Sequence, residues 1–508
     1  MTSKCKAITC IPLDDRPCNC QFMQRLAAFR GVSVRFPRRA WLGSLHRAGQ
    51  CQKIWHNLKY YDAPFSIVAL DMLLWGGLVA SRRAEALACE RINWNIEEVM
   101  RWCKYSRTMA YSTIMRVPPT QTTAEQVRWA ERLSELSLRI GDKFKHLIDL
   151  RREILDDSAT WHSLLGDIPE SAWEEYWQQR KRKHQINVDI IVQWMHHRLD
   201  DSLLFFCYDD SKTRGINILE GEELATVFED RANVALTTGT DEVSQLLLCR
   251  VLAPGEKLGL VWLDSAAPKI TTPYEDVCLE EVVRRQGYVA NCTLLFGADA
   301  KKCAKQLWIW SPYRSGPREC SQQGEVCEPL DKKRQNFLDK LEVALSQGRK
   351  IVLVDLAYAN GGDMRLMKAL IERKMLGKLG GYSAWNTAGN SLGTALAILA
   401  LWPERETVKS RTALTRFLLE RIIDDYYYQA IWRAQLGEKY GPPFTCLTPE
   451  QVREAQEFLD ERVQAVWEDV LADAFPQWSL KKASIRLPWE RLFECEVDMK
   501  IAHQKCFT

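Results

Sequence analysis

Histidine is scarce in this sequence, with eight in 508 residues. A catalytic apparatus of the Ser-His-Asp or Cys-His kind therefore has little to draw on, and a zinc site has few nitrogen ligands. The seventeen cysteines do not fill that gap, being scattered, odd in number and flanked by apolar residues, as at Cys207 and Cys249. Cys5/Cys10 and Cys18/Cys20 lack the CxxC spacing of zinc ribbons and thioredoxin-like sites, so buried thiols in a reducing cytoplasm are expected. No stretch approaches the ~18 uninterrupted apolar residues of a membrane span. The first residues, Met-Thr-Ser-Lys-Cys-Lys, run into a strand without a signal-peptide apolar region, so the expected compartment is the cytoplasm, with no membrane contact. Charge of one sign is also lacking. A net charge of +3 gives no bulk reason for a polyanion partner, and the basic run Arg180–Lys183 is short, so no nucleic acid is expected. Gly76-Gly77 lacks the GxGxxG and GxxxxGK[ST] spacings, and neither NAD nor ATP is inferred.

The composition present, 46% apolar and 27% charged, is that of a folded globular protein, and at roughly 100–200 residues per domain the length implies two or three units. Short apolar runs alternate with amphipathic stretches, the pattern of βα units. The first series is Ala7–Leu13, Val32–Phe36, Ser66–Leu70, Ala110–Met115 and Leu203–Tyr208; the second is Val234–Thr238, Leu258–Leu263, Val289–Phe296, Lys350–Leu356 and Gly381–Trp385. Five runs in each fit two doubly wound parallel-sheet lobes, an α/β fold, with an elaborated β/α barrel as the alternative. The lobes are placed at residues 1–230 and 231–402, with two or three helices inserted at about 120–200, and residues 403–508 form a mainly helical C-terminal region ending in a hairpin or edge strands.

Many of the runs end in acids, amides or arginine, and parallel strands present ligand-facing residues at their carboxyl ends. Pro12-Leu13-Asp14-Asp15-Arg16-Pro17 is the densest cluster, in which paired acids beside a guanidinium could serve proton transfer while Arg16 binds an anionic or hydroxyl group. Asp71 is followed by Trp75, a stacking face for a sugar ring, and by the Gly pair. Arg116 ends the fourth run, and Asp209-Asp210 ends the fifth. His184 is the one histidine singled out as a substrate ligand, although a solvated helix face also explains it. Asp241 and Glu242 open a helix and could simply favour the positive end of its dipole, and capping accounts for Asp276, while Glu242 and Glu275 stay open as acid or base candidates. Asp355, Tyr358, Asn360 and Asp363 share one strand-to-helix loop, and Trp385, Asn386 and Asn390 another. Arg421, Asp424 and Asp425 read as a bridge between the tail and the lobes. Asp doublets would accept magnesium or calcium, so the metal and cofactor stay unassigned, with magnesium the first candidate.

Together the hexamer, Asp71–Arg82, Ile114-Met115-Arg116, Asp209-Asp210-Ser211, Asp241-Glu242, Tyr274-Glu275-Asp276, Asp355–Asp363, Trp385–Thr394 and Leu487–Glu494 resemble a bacterial family catalogued as a domain of unknown function (DUF 4127), over nearly the whole chain. The sequence differs from the family pattern at Trp75, where tyrosine is more usual, and at Cys18, where a small aliphatic residue is. The resemblance implies an intact fold and carries no activity.

The residues point to an enzyme acting on a polyhydroxylated, carbohydrate-derived small molecule by carboxylate general acid/base catalysis, in the manner of a glycoside hydrolase. Its candidate catalytic acids are Asp14, Asp15, Asp71, Asp209, Asp210, Glu242 and Asp355. One alternative is a magnesium-dependent isomerase, lyase or phosphoryl hydrolase; another is a non-catalytic sugar-binding protein whose lobes close on ligand.

Overall fold

The architecture is given by a computed structural model that describes residues 6–504 except 59–62, 84–88, 105, 121–123, 200, 210–213, 230, 314–317 and 321–327. Apolar runs rich in β-branched residues form two purely parallel sheets. The first comprises β1 (Ala7–Ile11), β2 (Ser33–Arg35), β3 (Phe65–Ala69), β4 (Arg107–Ile114), β5 (Leu203–Tyr208) and β6 (Val234–Thr238), in the order β2-β1-β3-β4-β5-β6. The second comprises β7 (Lys257–Trp262), β8 (Thr293–Leu295), β9 (Lys305–Trp310), β11 (Lys350–Asp355) and β13 (Gly381–Ser383), in the order β13-β11-β9-β7-β8. Among the strands of the second sheet in sequence lie two-residue strands β10 (Arg318–Glu319) and β12 (Tyr358–Ala359), paired with each other. Each main sheet reverses its winding once, between β1 and β3 in the first and between β7 and β9 in the second. The α/β doubly wound reading therefore holds, and both sheets are open.

The strand bookkeeping differs from expectation in two places. Val234–Thr238, counted with the second series, pairs with Leu204–Tyr208 at the edge of the first sheet. Most of Val289–Phe296 proves to be the end of helix Leu279–Ala290 and a turn, leaving only Thr293–Leu295 as strand, while Lys305–Trp310 supplies a central strand. The latter carries charged and amide residues, Lys305 and Gln306, which masked its periodicity.

Between β4 and β5 stand helices Ala124–Lys143, Leu147–Leu155, Ala159–Leu165 and Glu170–His196, one more than the upper expectation. They bury a separate cluster around Trp161, Trp173 and Tyr176. The two sheets, by contrast, share one core. Helices Gln21–Ala28 and Val243–Leu252 pack over the first sheet and against helix Ala388–Leu401, which covers the second. All fourteen residues of Ala388–Leu401 are buried, as expected of a helix apolar all round, and one continuous cluster runs from Ile8 to Val354 and Phe417.

The C-terminal region is helical: Val408–Arg421 continues as a π-helix over Ile422–Trp432, then Arg433–Tyr440 and Pro449–Val466. Capping boxes at Thr407 and Thr448 start two of these helices. The antiparallel hairpin β14 (Trp478–Arg486) and β15 (Glu496–His503) packs on them. Among the described residues no helix is long and apolar enough to cross a membrane.

Candidate functional site

The hexamer after β1 folds on itself. Asp14 Oδ1 accepts from the Arg16 backbone N–H at 3.1 Å and from Asn19 Nδ2 at 2.8 Å, which closes the turn. Arg16 is then held by two acids: Nε donates to Asp14 Oδ2 at 2.9 Å, Nη1 to Asp241 Oδ2 at 3.0 Å and Nη2 to Asp241 Oδ1 at 2.6 Å. Asp241 follows β6, which β3, β4 and β5 separate from β1, so the chain leaving β6 returns along the carboxyl edge to the switch point of the sheet. Burial pushes the Asp241 carboxyl up, Arg16 opposes the shift, and Asp14 adds to it.

The neighbouring Asp15 is held by the tail. Trp489, in the loop between β14 and β15, donates its indole N–H to Asp15 Oδ1 at 2.6 Å and lays its ring 5.1 Å from the Arg16 guanidinium. Burial raises the Asp15 carboxyl, while this hydrogen bond lowers it.

A cavity of about 40 Å³ opens beside Arg16. Pro17, Cys18 and Phe22 form its first wall; Asn360, Trp385 and Asn386, at the carboxyl ends of β12 and β13, form the second; Asp424, Gln429, Phe493, Glu494 and Cys495 of the C-terminal region close it. Drug-sized ligand pockets run to roughly 300–1,000 Å³, so this half-open cavity is narrow and admits only part of such a ligand. Asn360 and Asn386 both adopt left-handed backbone, φ 61° and 50°, and the Asn360 N–H donates to the Asn386 carbonyl at 2.8 Å. Side chains of this type tolerate that region, and such strain gathers at ligand sites. Phe22 meets Trp385 edge-on at 5.6 Å.

The π-helix shapes the third wall. Its i→i+5 pattern sets residues five apart on one face, and Gln429 Nε2 donates to Asp424 Oδ1 at 3.2 Å, joined there by the Cys495 thiol at 3.2 Å. Behind them the buried Arg421 reaches Asp424 at 2.8 Å and Asp425 at 2.6 Å, with its guanidinium 3.9 Å from the centre of the Phe22 ring. Burial pushes the Asp425 carboxyl up to about 7. Glu494 is held by Arg491 Nε at 2.7 Å.

Of the residues named from sequence, the structure thus brings Arg16, Asn360, Trp385 and Asn386 to the cavity wall, with Asp14 and Asp15 directly behind. The others lie elsewhere. Asp71 is fully buried, paired with Lys183 and accepting from the Thr113 N–H at 2.8 Å. Trp75 is buried with the Arg182 guanidinium 5.4 Å from its ring, and the Gly76-Gly77 pair forms a turn packed on Gly43 and Gly49, where a Cβ on Gly76 would sit 2.6 Å from the Gly49 nitrogen. Asp209 pairs with Arg82; Asp210 lies outside the described residues. The Arg116 carbonyl accepts from Arg180 at 2.7 Å. His184 bonds Glu223 at 2.7 Å among the inserted helices, lowering the Glu223 pKa.

Glu242 is buried at the junction of the two sheets, accepting from Asn390 Nδ2 at 2.6 Å and Gln286 Nε2 at 3.1 Å, and burial pushes it up to about 7. Gly393 makes room for it, since a Cβ there would lie 2.4 Å from Glu242 Cγ. Asp355 accepts from the Asp363 N–H at 2.6 Å and Tyr382 Oη at 3.1 Å, and burial, then Asp363, push it up to about 7. Tyr358 bonds Tyr313 hydroxyl to hydroxyl at 2.9 Å.

Asp363 is the N-cap of helix Met364–Glu372, accepting from the N–H groups of Arg365 at 2.9 Å and Leu366 at 3.2 Å. Asp363→Ala is expected to cost about 1–2 kcal/mol in chemical unfolding, the range for losing a cap; an unchanged midpoint would show that the helix does not depend on it.

Sequence reasoning left Asp241 out of the site residues, with a helix dipole as its alternative role, and missed the tail residues Asp424, Gln429 and Glu494. The signals were present: Leu487–Glu494 stood out as a block, and Arg421, Asp424 and Asp425 as a cluster, but helical periodicity in the tail pointed to packing.

No match was found among curated proteins or among solved structures. The sequence profile of one family matches residues 8–498, and the chain belongs to that family, described as protein of unknown function (DUF4127).

Proposed function

We propose that this protein is an enzyme acting on a polyhydroxylated, carbohydrate-derived small molecule by carboxylate general acid/base catalysis at the cavity beside Arg16. One observation carries the reading: Asp424 and Glu494 of the tail line a cavity with aromatic and amide walls, while Asp14 and Asp15 after β1 and Asp241 after β6 stand behind it around Arg16. Carboxyl groups at a ligand cavity can give protons to a bound substrate and take them from it. Asp424 and Glu494 line the cavity and are the candidates for contact with reacting atoms. Asp14 and Asp241 fix Arg16, and Trp489 fixes Asp15, so these act as positioning residues. Asn360, Asn386 and Gln429 supply amides for hydroxyl groups, and Trp385 an apolar face for a ring.

The test is a panel of glycosides offered to the wild-type protein, followed by Asp424→Asn and Glu494→Gln on whichever is turned over. Each variant is expected to lose about 10²–10⁴-fold in kcat with its melting temperature kept, the usual size of a general acid/base contribution. Full activity in both would sink the proposal. Binding of a sugar without product would favour the non-catalytic reading instead.

The magnesium-dependent reading finds less support. Among the described residues no three His, Cys, Asp or Glu side chains gather as a metal site, and the Arg16 guanidinium fills the place between Asp14 and Asp241 that a cation would take. Treatment with EDTA is expected to leave turnover unchanged; loss restored by added magnesium would revive that reading.

A further inference from the structure

The charge of the substrate can be read from how the arginines of this site are spent. Arg16 is the one cation among the described residues lining the cavity, and its fork is closed on both sides, by Asp14 and by the two oxygens of Asp241. A guanidinium recognises phosphate or carboxylate through free, parallel N–H pairs, and none is left here. The two arginines behind the tail wall are likewise turned to carboxylates. Arg421 gives Nη1 to Asp425 and Nη2 to Asp424, and Arg491 gives Nε and Nη2 to Glu494. Each guanidinium is thus matched or outnumbered by carboxylates.

The groups facing inward are of the opposite character. Asp424 and Glu494 present carboxylates, Asn360, Asn386 and Gln429 present amides, and Trp385 and Phe22 present aromatic faces. An anionic ligand entering this wall would meet the carboxylates of Asp424 and Glu494, whose partners Arg421 and Arg491 are turned to those acids, while Arg433 behind the wall gives Nη2 to the Asn360 carbonyl at 3.0 Å. A neutral polyol would meet acceptors and amides, and an ammonium group would also meet an aromatic face.

We infer that the cavity takes uncharged or amine-bearing polyhydroxylated ligands and excludes sugar phosphates and sugar acids. The inference rests on the cavity assigned above as the ligand site and narrows its substrate class. It reverses the expectation that Arg16 clamps an anionic group.

Two native thiols, Cys18 and Cys495, line the same cavity and can report its potential without knowledge of the ligand. The full-length protein would be treated at mildly alkaline pH with methanethiosulfonates of similar size carrying a trimethylammonium, a methyl or a sulfonate group, and labelling would be followed by peptide mass spectrometry. Cys446, which is exposed, is the internal reference. Relative to the ratio at Cys446, the cationic reagent is expected to modify Cys18 and Cys495 about tenfold faster than the anionic one, the low end of electrostatic focusing in a cleft. Glu494→Gln should shrink that ratio. Equal or faster labelling by the sulfonate reagent overturns the inference, and failure of even the neutral methyl reagent to reach either thiol overturns the cavity as a ligand site. If the ratio is as expected while no glycoside is turned over, the enzymatic reading fails and the charge selectivity stands.

Discussion

Lys183→Met should be among the most damaging single substitutions in the chain, lowering the stability of the first sheet by about 3–5 kcal/mol, the cost of stranding one member of a buried ion pair. Lys183 is 1% exposed and its partner Asp71 0%. The ammonium sits between Asp71 and Ser112 Oγ, the latter at 3.1 Å, while Asp71 also accepts from Thr113 N–H and Oγ1 at 2.8 and 3.2 Å. Removing the lysine leaves a carboxylate with only neutral donors in a place water does not reach. Urea unfolding followed by circular dichroism reads the loss, and the double variant Lys183→Met/Asp71→Asn should recover most of it, because both charges are then gone. A midpoint in the single variant equal to that of the wild type would show that another cation takes over. The pair joins the end of β3 to the long inserted helix Glu170–His196, so the substitution would also loosen the inserted helices from the sheet.

The second large effect is a dependence of stability on pH carried by Glu242. Its folded pKa is raised from 4.5 to about 7, chiefly by burial. Between those two values the unfolded chain has released the proton and the folded chain keeps it, so stability is greatest below pH 4.5 for this group and falls as pH rises towards 7. The full shift is worth about 3 kcal/mol at 1.36 kcal/mol per unit. Asp355 and Asp425, raised to about 7 by burial as well, contribute with the same sign. In Glu242→Gln the slope should shrink by close to one proton over this range, measured as urea midpoints at a series of pH values in both proteins. An identical slope in the two would show that Glu242 is ionised in the folded state. Because Glu242 accepts from Asn390 and Gln286, the effect lies where the two sheets join.

How far the sequence carried varies with the physics involved. The doubly wound α/β class was readable because parallel strands buried on both faces are short apolar runs, and because helices between them keep a three- to four-residue period. Lys305–Trp310 escaped because polar Lys305 and Gln306 open the strand and make buried hydrogen bonds there, to the Ala400 carbonyl at 3.3 Å and the Ala300 carbonyl at 3.2 Å. The carboxyl-edge clusters were readable as clusters, and Arg16, Asn360, Trp385 and Asn386 do share a cavity. Which acids point inward was not readable. Asp71 and Arg16 stand at similar strand ends, yet one faces a lysine from an inserted helix and the other a loop 225 residues away. The tail was the harder part, because a π-helix has no compositional mark and an α-helical reading places Asp424 and Gln429 about 140° apart around the axis.

The single core beneath both sheets has a mechanical consequence. Lobes that close on a ligand need a hinge with little packed across it, whereas helices Val243–Leu252 and Ala388–Leu401 weld these two sheets together through side chains with no solvent between them. The loop between β14 and β15 is fastened to that frame, through the Trp489 indole on Asp15 and the carbonyls of Leu492 and Phe493 on Tyr428 and Gln429. The far end of the chain therefore completes a site whose other walls the two sheets hold rigid.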